Sequence, residues 1–233
     1  MNRGLVFSIL FFTGIIFISL IFLPTFFFPQ KFVLLGGKLM GHWTGFCLKY
    51  FLSTKIIIKG SENIISDEKF FIAASHQSMF ETFYLQTIFN SPVFILKKEL
   101  LQIPIFSWYL KKIGSISINR NKITKDNLGF YDEIVQQIQT SKRPLIIFPQ
   151  GTRVLPNERP PFRKGASKIY EKLNISCQPV AINSGYVWPK MGERKSGKTI
   201  TISILPKINN GLDKSVFLKT LEDKIYSELN LIN

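Results

Sequence analysis

Phe70-Phe71-Ile72-Ala73-Ala74-Ser75-His76-Gln77-Ser78-Met79-Phe80-Glu81 decides how this chain folds. The opening residues form a short apolar run of the kind that fills a buried strand. Ser78-Met79-Phe80-Glu81 has the form of a capping box, which starts a helix near Ser78. His76, one of only two histidines in the chain, falls in the turn between them. Residues five apart on a continuous helix sit about 140° from each other and would not meet. From a turn, however, the imidazole can fold back over the first helical turn toward Glu81. A carboxylate beside a histidine fixes its tautomer and stabilises its charged form, which is the outline of a general base. The same residues also fit a plainer reading, in which Glu81 only caps the helix and His76 is a surface turn residue.

Short β-type runs at 56–58, 70–74, 92–96, 115–118, 145–148, 179–182 and 199–205 alternate with helical stretches at 79–90, 125–140, 165–173 and 215–230. Interleaved strands and helices predict an α/β fold with a mainly parallel or mixed central sheet flanked by helices. No repeat or low-complexity tract interrupts residues 53–233, which are expected to form one domain.

The N-terminus has a different character. Residues 4–30 carry no charged side chain, and 4–23 as a helix would be roughly 30 Å long, about the thickness of a bilayer's hydrocarbon core. A cleaved signal peptide fits less well, because the apolar stretch is long and Pro24-Thr25-Phe26-Phe27-Phe28-Pro29 lacks a small-residue cleavage pattern. Residues 32–52 place Lys38, His42 and Lys49 on one helical face, with Gly45 between them and Leu39, Trp43, Phe46, Tyr50 and Phe51 over much of the rest. That pattern suits an amphipathic helix at a membrane interface, with a core helix as the alternative. Residues 1–52 are therefore expected to be a membrane anchor. Of the 30 basic residues only Arg3 precedes the apolar segment, which places the main domain on the cytoplasmic side of the cytoplasmic membrane. A single span and a monotopic anchor satisfy these charges equally.

A net charge of +15 calls for an anionic partner, which could be nucleic acid, an acidic membrane or a phosphorylated substrate. The basic residues are scattered and no nucleic-acid-binding motif is present, so nucleic acid is not expected. Cys47 and Cys177 lie far apart, and with two histidines in the chain no metal site is expected.

Two more strand ends carry chemistry. Leu145-Ile146-Ile147-Phe148-Pro149-Gln150-Gly151-Thr152-Arg153 runs from an apolar strand into a loop. There a glycine, free backbone N–H groups, a hydroxyl and a guanidinium would form an anion site suited to phosphate. Gly114-Ser115-Ile116-Ser117-Ile118-Asn119-Arg120 ends in another arginine. Ligand clefts of α/β sheets form at strand carboxyl ends, although each arginine taken alone also reads as surface charge.

Taken in order, these segments resemble the glycerophospholipid acyltransferase family, in particular its bacterial 1-acyl-glycerol-3-phosphate acyltransferases. The resemblance covers roughly residues 53–190, with an N-terminal membrane segment also typical. The H-x4-D motif matches His76 to Glu81, with glutamate for aspartate, and the arginine-bearing second motif matches 114–120. The F-P-E-G-T-R motif matches 148–153 with Gln150 for glutamate. The fourth motif matches Pro179-Val180-Ala181-Ile182, and Pro161-Phe162-Arg163-Lys164-Gly165 matches a basic-glycine segment. The resemblance implies transfer of a fatty acyl group from acyl-CoA or acyl carrier protein to lysophosphatidate, without a cofactor. His76 and Glu81 would be catalytic, and Arg120, Gln150, Gly151, Thr152 and Arg153 would bind substrate. Glycerol-3-phosphate or another lysophospholipid as acceptor, or a non-catalytic membrane-anchored binding protein, are the alternative expectations.

Overall fold

A computed structural model describes residues 2–102, 106–118 and 129–232. Two helices come first, α1 (Arg3–Ile21) and α2 (Gln30–Phe51). There follow β1 (Lys55–Lys59), β2 (Phe70–Ala74), α3 (Phe80–Ile88), β3 (Val93–Lys97), α4 (Phe106–Lys112) and β4 (Ile116–Ile118). The remainder is α5 (Phe130–Thr140), β5 (Leu145–Ile147), α6 (Lys164–Leu173), β6 (Ser176–Ile182), β7 (Thr199–Ile204) and α7 (Lys214–Ile232).

The strands form one sheet in the order β1-β7-β6-β2-β5-β3-β4. Every pairing is parallel except β6 with β7, so β1 and β7 run against the other five and the sheet is mixed. The centre of the sheet is covered on both faces, which explains why β2 reads as a continuous apolar run rather than an alternating one. Phe71 and Ala73 enter a core shared with α5, α6 and α7, whereas Ile72 and Ala74 enter a second core shared with α1, α2 and α3. Phe71 and Ile72 are fully buried. Each such side chain contributes roughly 1.5–3 kcal/mol relative to exposure.

All seven expected strands form, with ends shifted by a few residues. β6 begins at Ser176 and runs through Pro179, which the sheet tolerates because the ladder with β7 ends there and the Leu205 carbonyl, left without a proline N–H, accepts from the Gln178 side-chain amide at 2.6 Å. The expected helix at 125–140 is described from Phe130 onward, and residues 125–128 lie outside the described residues. Helix α4 has no counterpart among the expected elements. Nor are all basic groups on the surface: Arg143 donates to the carbonyls of Ser91 (2.6 Å), Pro92 (3.3 Å) and Ile113 (2.7 Å). Burial pushes its guanidinium down to about 10, still charged at neutral pH. It ties the start of β3 to the turn after α4.

Helix α1 is apolar all round and belongs partly to the core. Phe7 and Phe11 are fully buried, and both meet Trp188 edge-on, at 5.1 and 4.8 Å between ring centroids. Leu5, Ile9, Phe12, Ile16, Phe17 and Leu20 face outward and are exposed. α2 buries Val33, Gly36, Gly41, Thr44, Cys47 and Leu48, while Leu35, Leu39, Phe46 and Tyr50 point outward beside exposed His42 and Lys49. The domain-facing side of α2 is thus the one with small side chains. A Cβ at Gly41 would come within 2.6 Å of the Phe83 carbonyl on α3, so only glycine permits this approach. Small residues at the helix contact with large apolar ones outside is the reverse of a water-soluble helix.

Candidate active site

Strands β6, β2 and β5 are adjacent and parallel, and their registers, Ala73 with Pro179 and Ala73 with Ile147, bring their carboxyl ends to one edge. Three loops leave the sheet there side by side, at the place where α/β folds form clefts.

The turn after β2 is tied first through Ser75. Its N–H donates to Val180 (3.0 Å), its hydroxyl to Ile182 (3.1 Å), and it accepts from the Ile182 N–H (2.8 Å). The His76 N–H donates to Oε1 of Gln150 at 2.7 Å, and the His76 carbonyl accepts from Val154 at 2.9 Å. The imidazole stacks on Phe148, with centroids 4.0 Å apart and planes within 15°. Its Nδ1 lies 3.3 Å from Oε2 of Glu81, a residue with no solvent exposure. In the neutral ring Nδ1 carries the proton toward the carboxylate, leaving the Nε2 lone pair free to accept one.

Glu81 has several partners. Its Oε2 also accepts the Ser78 N–H at 3.0 Å, its Oε1 accepts the Gln77 N–H at 3.4 Å, and the Ser184 hydroxyl donates to Oε1. Glu81 reaches back to Ser78 as a capping box requires, but the Ser78 hydroxyl accepts from Phe80 at 3.1 Å, so α3 starts slightly later than the sequence suggests. Capping and orienting the imidazole are therefore done by one carboxylate.

The loop after β5 is built differently. Gly151 adopts φ +76°, a left-handed conformation that glycine supplies without strain, and its N–H closes onto the Phe148 carbonyl at 2.9 Å. Thr152 is exposed and Arg153 half-buried, and neither side chain bonds to the described residues. The returning chain brings Arg163 and Lys164, both exposed, to the first turn of α6, with the Arg163 N–H on the Pro149 carbonyl at 2.8 Å. α7 braces this segment: Glu222 accepts the Phe162 N–H at 2.6 Å, and the Tyr226 hydroxyl donates to the Pro160 carbonyl. Burial pushes the Tyr226 hydroxyl up to about 12, so it remains a donor throughout the neutral range.

Of the residues expected to act, His76 and Glu81 are in contact, and Gly151, Thr152 and Arg153 lie on the loop beside them. Gln150, expected to bind substrate, is 2% exposed and spends its carbonyl on the backbone of the histidine turn. Burial places it under the turn rather than on the open side of the loop. Arg120 lies outside the described residues. Ser75, Gln77, Phe148 and Ser184 were not singled out by sequence. Asn183-Ser184-Gly185 directly after the apolar β6 resembles an ordinary turn, and its position after a third strand end is the one signal that could have marked it. Beside the site, Thr82 and Phe83 of α3 line an apolar cavity of about 130 Å³ that runs between α1 and α2 past Phe22, Gly37 and Tyr109.

Residues 55–183 match the acyltransferase family model. A 1-acyl-sn-glycerol-3-phosphate acyltransferase from Pseudomonas aeruginosa is 32% identical over 154 residues, which are 65% of this chain and 58% of that protein. The enzyme of the same name from Saccharomyces cerevisiae is 27% identical over 85% of this chain and 69% of its own length. That from Helicobacter pylori is 37% identical over 48% of each. The matches thus span about half to two thirds of these relatives. The crystal structure of the 1-acyl-sn-glycerophosphate acyltransferase PlsC from Thermotoga maritima shares the fold, with a TM-score of 0.80 at 22% identity over 98% of this chain and 95% of that one.

Proposed function

This chain belongs to the acyltransferase family, and from that premise we propose that it transfers a fatty acyl group from a thioester to the free hydroxyl of lysophosphatidate, giving phosphatidate. The observation that carries the reading is the His76 ring. It is held on Phe148, with Nδ1 facing the buried Glu81 carboxylate and Nε2 left over, beside a loop of cations at the same sheet edge.

In the proposed reaction Nε2 takes the acceptor hydroxyl proton as the oxygen attacks the thioester carbonyl. The new C–O bond forms, the C–S bond breaks, and the imidazolium returns its proton to the departing thiolate. Glu81 balances the charge that the ring carries between the two transfers. Acyl-CoA or acyl carrier protein supplies the thioester, and the mechanism uses no cofactor. Arg153 and the Thr152 hydroxyl hold the acceptor phosphate, with Arg120 as a further candidate, and Gly151 shapes the turn that presents them. Fixing that phosphate turns a lipid diffusing in two dimensions into a positioned nucleophile. The outward apolar faces of α1 and α2 rest in the lipid on the cytoplasmic side of the membrane. Because Phe7 and Phe11 hold α1 in the core, the pair works as a monotopic anchor rather than a detached span.

The test is purified protein incubated with radiolabelled oleoyl-CoA and, separately, lysophosphatidate, glycerol-3-phosphate and lysophosphatidylcholine. Label is expected in phosphatidate and to be absent with His76→Ala. Near-normal turnover by that variant would overturn the mechanism, and label with another acceptor alone would overturn the substrate.

A further inference from the structure

We propose that Ser184 is a positioning residue for the His76–Glu81 pair, so that the base is oriented by a chain of three side chains delivered from two strand ends. The proposal rests on the acyl-transfer reading above and extends it to a residue outside the family's matched segments.

The two oxygens of Glu81 are divided between tasks. Oε2 serves the imidazole and the Ser78 N–H, while Oε1 is held by the Ser184 hydroxyl and, at 3.4 Å, weakly by the Gln77 N–H. Without Ser184 a fully buried carboxylate oxygen would keep one marginal bond, and the carboxylate could rotate about the bond that sets its distance to Nδ1. Glutamate also has one methylene more than aspartate, and so more freedom that needs a second restraint.

Ser184 itself is fixed for the task. It has no solvent exposure and opens the short helical turn Ser184–Tyr186 after β6. Its neighbours anchor that turn on three sides. The Asn183 side-chain Oδ1 accepts Thr201 N–H at 2.7 Å, its Nδ2 donates to the Ile232 carbonyl at the end of α7, and Gly185 N–H donates to Gln77 Oε1 at 3.0 Å. The hydroxyl is thus presented by β6, β7 and α7 together to a carboxylate on α3.

Three measurements test this. In protein labelled with ¹⁵N-histidine, which has two imidazoles in all, His76 is expected as a single Nδ1–H tautomer and Ser184→Ala is expected to mix the tautomers. The same substitution should lower kcat about tenfold with acceptor KM unchanged, as for loss of one hydrogen bond to a charged group. In a Glu81→Asp background, where the carboxylate is drawn away from Ser184, the further loss should shrink to within about twofold. Unchanged imidazole nitrogens, an unchanged kcat, a loss confined to KM, or equal losses in both backgrounds would each overturn the proposal. If Glu81→Asp turns over too slowly to measure, the tautomer and the kcat–KM split decide. Absence of labelled lipid product from the unsubstituted protein with every acceptor would instead sink the acyl-transfer reading, and the tautomer measurement stands apart from it.

Discussion

The turn after β2 and the loop after β5 lie side by side and are built on opposite plans. In the first, Ser75, His76, Ser78 and Glu81 are tied by hydrogen bonds to β6, to Gln150 and to Ser184, and Glu81 is wholly buried. In the second, Thr152 and Arg153 have no protein partner among the described residues, and Arg163 and Lys164 stand in solvent. A proton acceptor works through its orientation, so its restraints are completed by the protein. An anion site works by leaving donors unfilled until the ligand supplies the acceptors.

Removing the base has the largest expected effect. His76→Ala is expected to lower kcat by roughly 10²–10⁴-fold with the acceptor KM little changed. A comparable rise in KM would mean that the two regions do not divide chemistry from binding. Arg153→Ala should do the converse, raising acceptor KM roughly tenfold or more through loss of a charge-assisted bond while kcat stays within about threefold. That variant should also lose its preference for phosphorylated over unphosphorylated acceptors.

Gly151→Ala probes the loop's backbone rather than its charge. An added Cβ would lie 3.1 Å from the flexible Arg163 side chain, which can yield, so the φ of +76° decides the outcome. A cost of about 1–2 kcal/mol is expected, visible as a lower thermal midpoint. The smallest effect is expected beneath the site. Cys177 is buried in β6 and its thiol is held well above the ordinary range by burial, so thiolate is scarce until far above neutral pH. Ellman's reagent at pH 8 should find neither Cys177 nor buried Cys47 in the folded protein and both after denaturation. Rapid labelling of Cys177 in the native state would show that the region around β6 opens, against the rigidity ascribed to it.

Much of this was legible in the sequence where the signal is local. β2 was readable to the residue because buried central strands are unbroken apolar runs, and the turn was readable because Ser78 and Glu81 form a capping pattern. Helix α4 was not, since Phe106–Lys112 is too short for periodicity to register; Tyr109 and Leu110 are buried but Trp108 between its neighbours is exposed. Ser184 was out of reach for a different reason. Its partner lies 103 positions away, and a serine after a strand announces a turn, not a carboxylate. Gln150 could be placed near the site but not under the turn, because its direction is set by tertiary packing rather than by its neighbours in the chain. The domain-facing side of α2 was hidden for the same reason. Its contact with the domain runs through glycine, threonine and cysteine, which hydrophobic patterning does not weigh.

The edge-on contact of Phe7 with Trp188 also has a bearing on the order of assembly. At about 5–20 residues per second, Trp188 leaves the ribosome roughly ten to forty seconds after Phe7. During that interval α1 can meet α2 and Phe83 of α3, on which Phe11 packs at 5.4 Å between ring centroids, but not Trp188. The cluster of Phe7, Phe11 and Trp188 therefore closes only once most of the chain has been made, so the fit of the first helix into the core is completed late in synthesis.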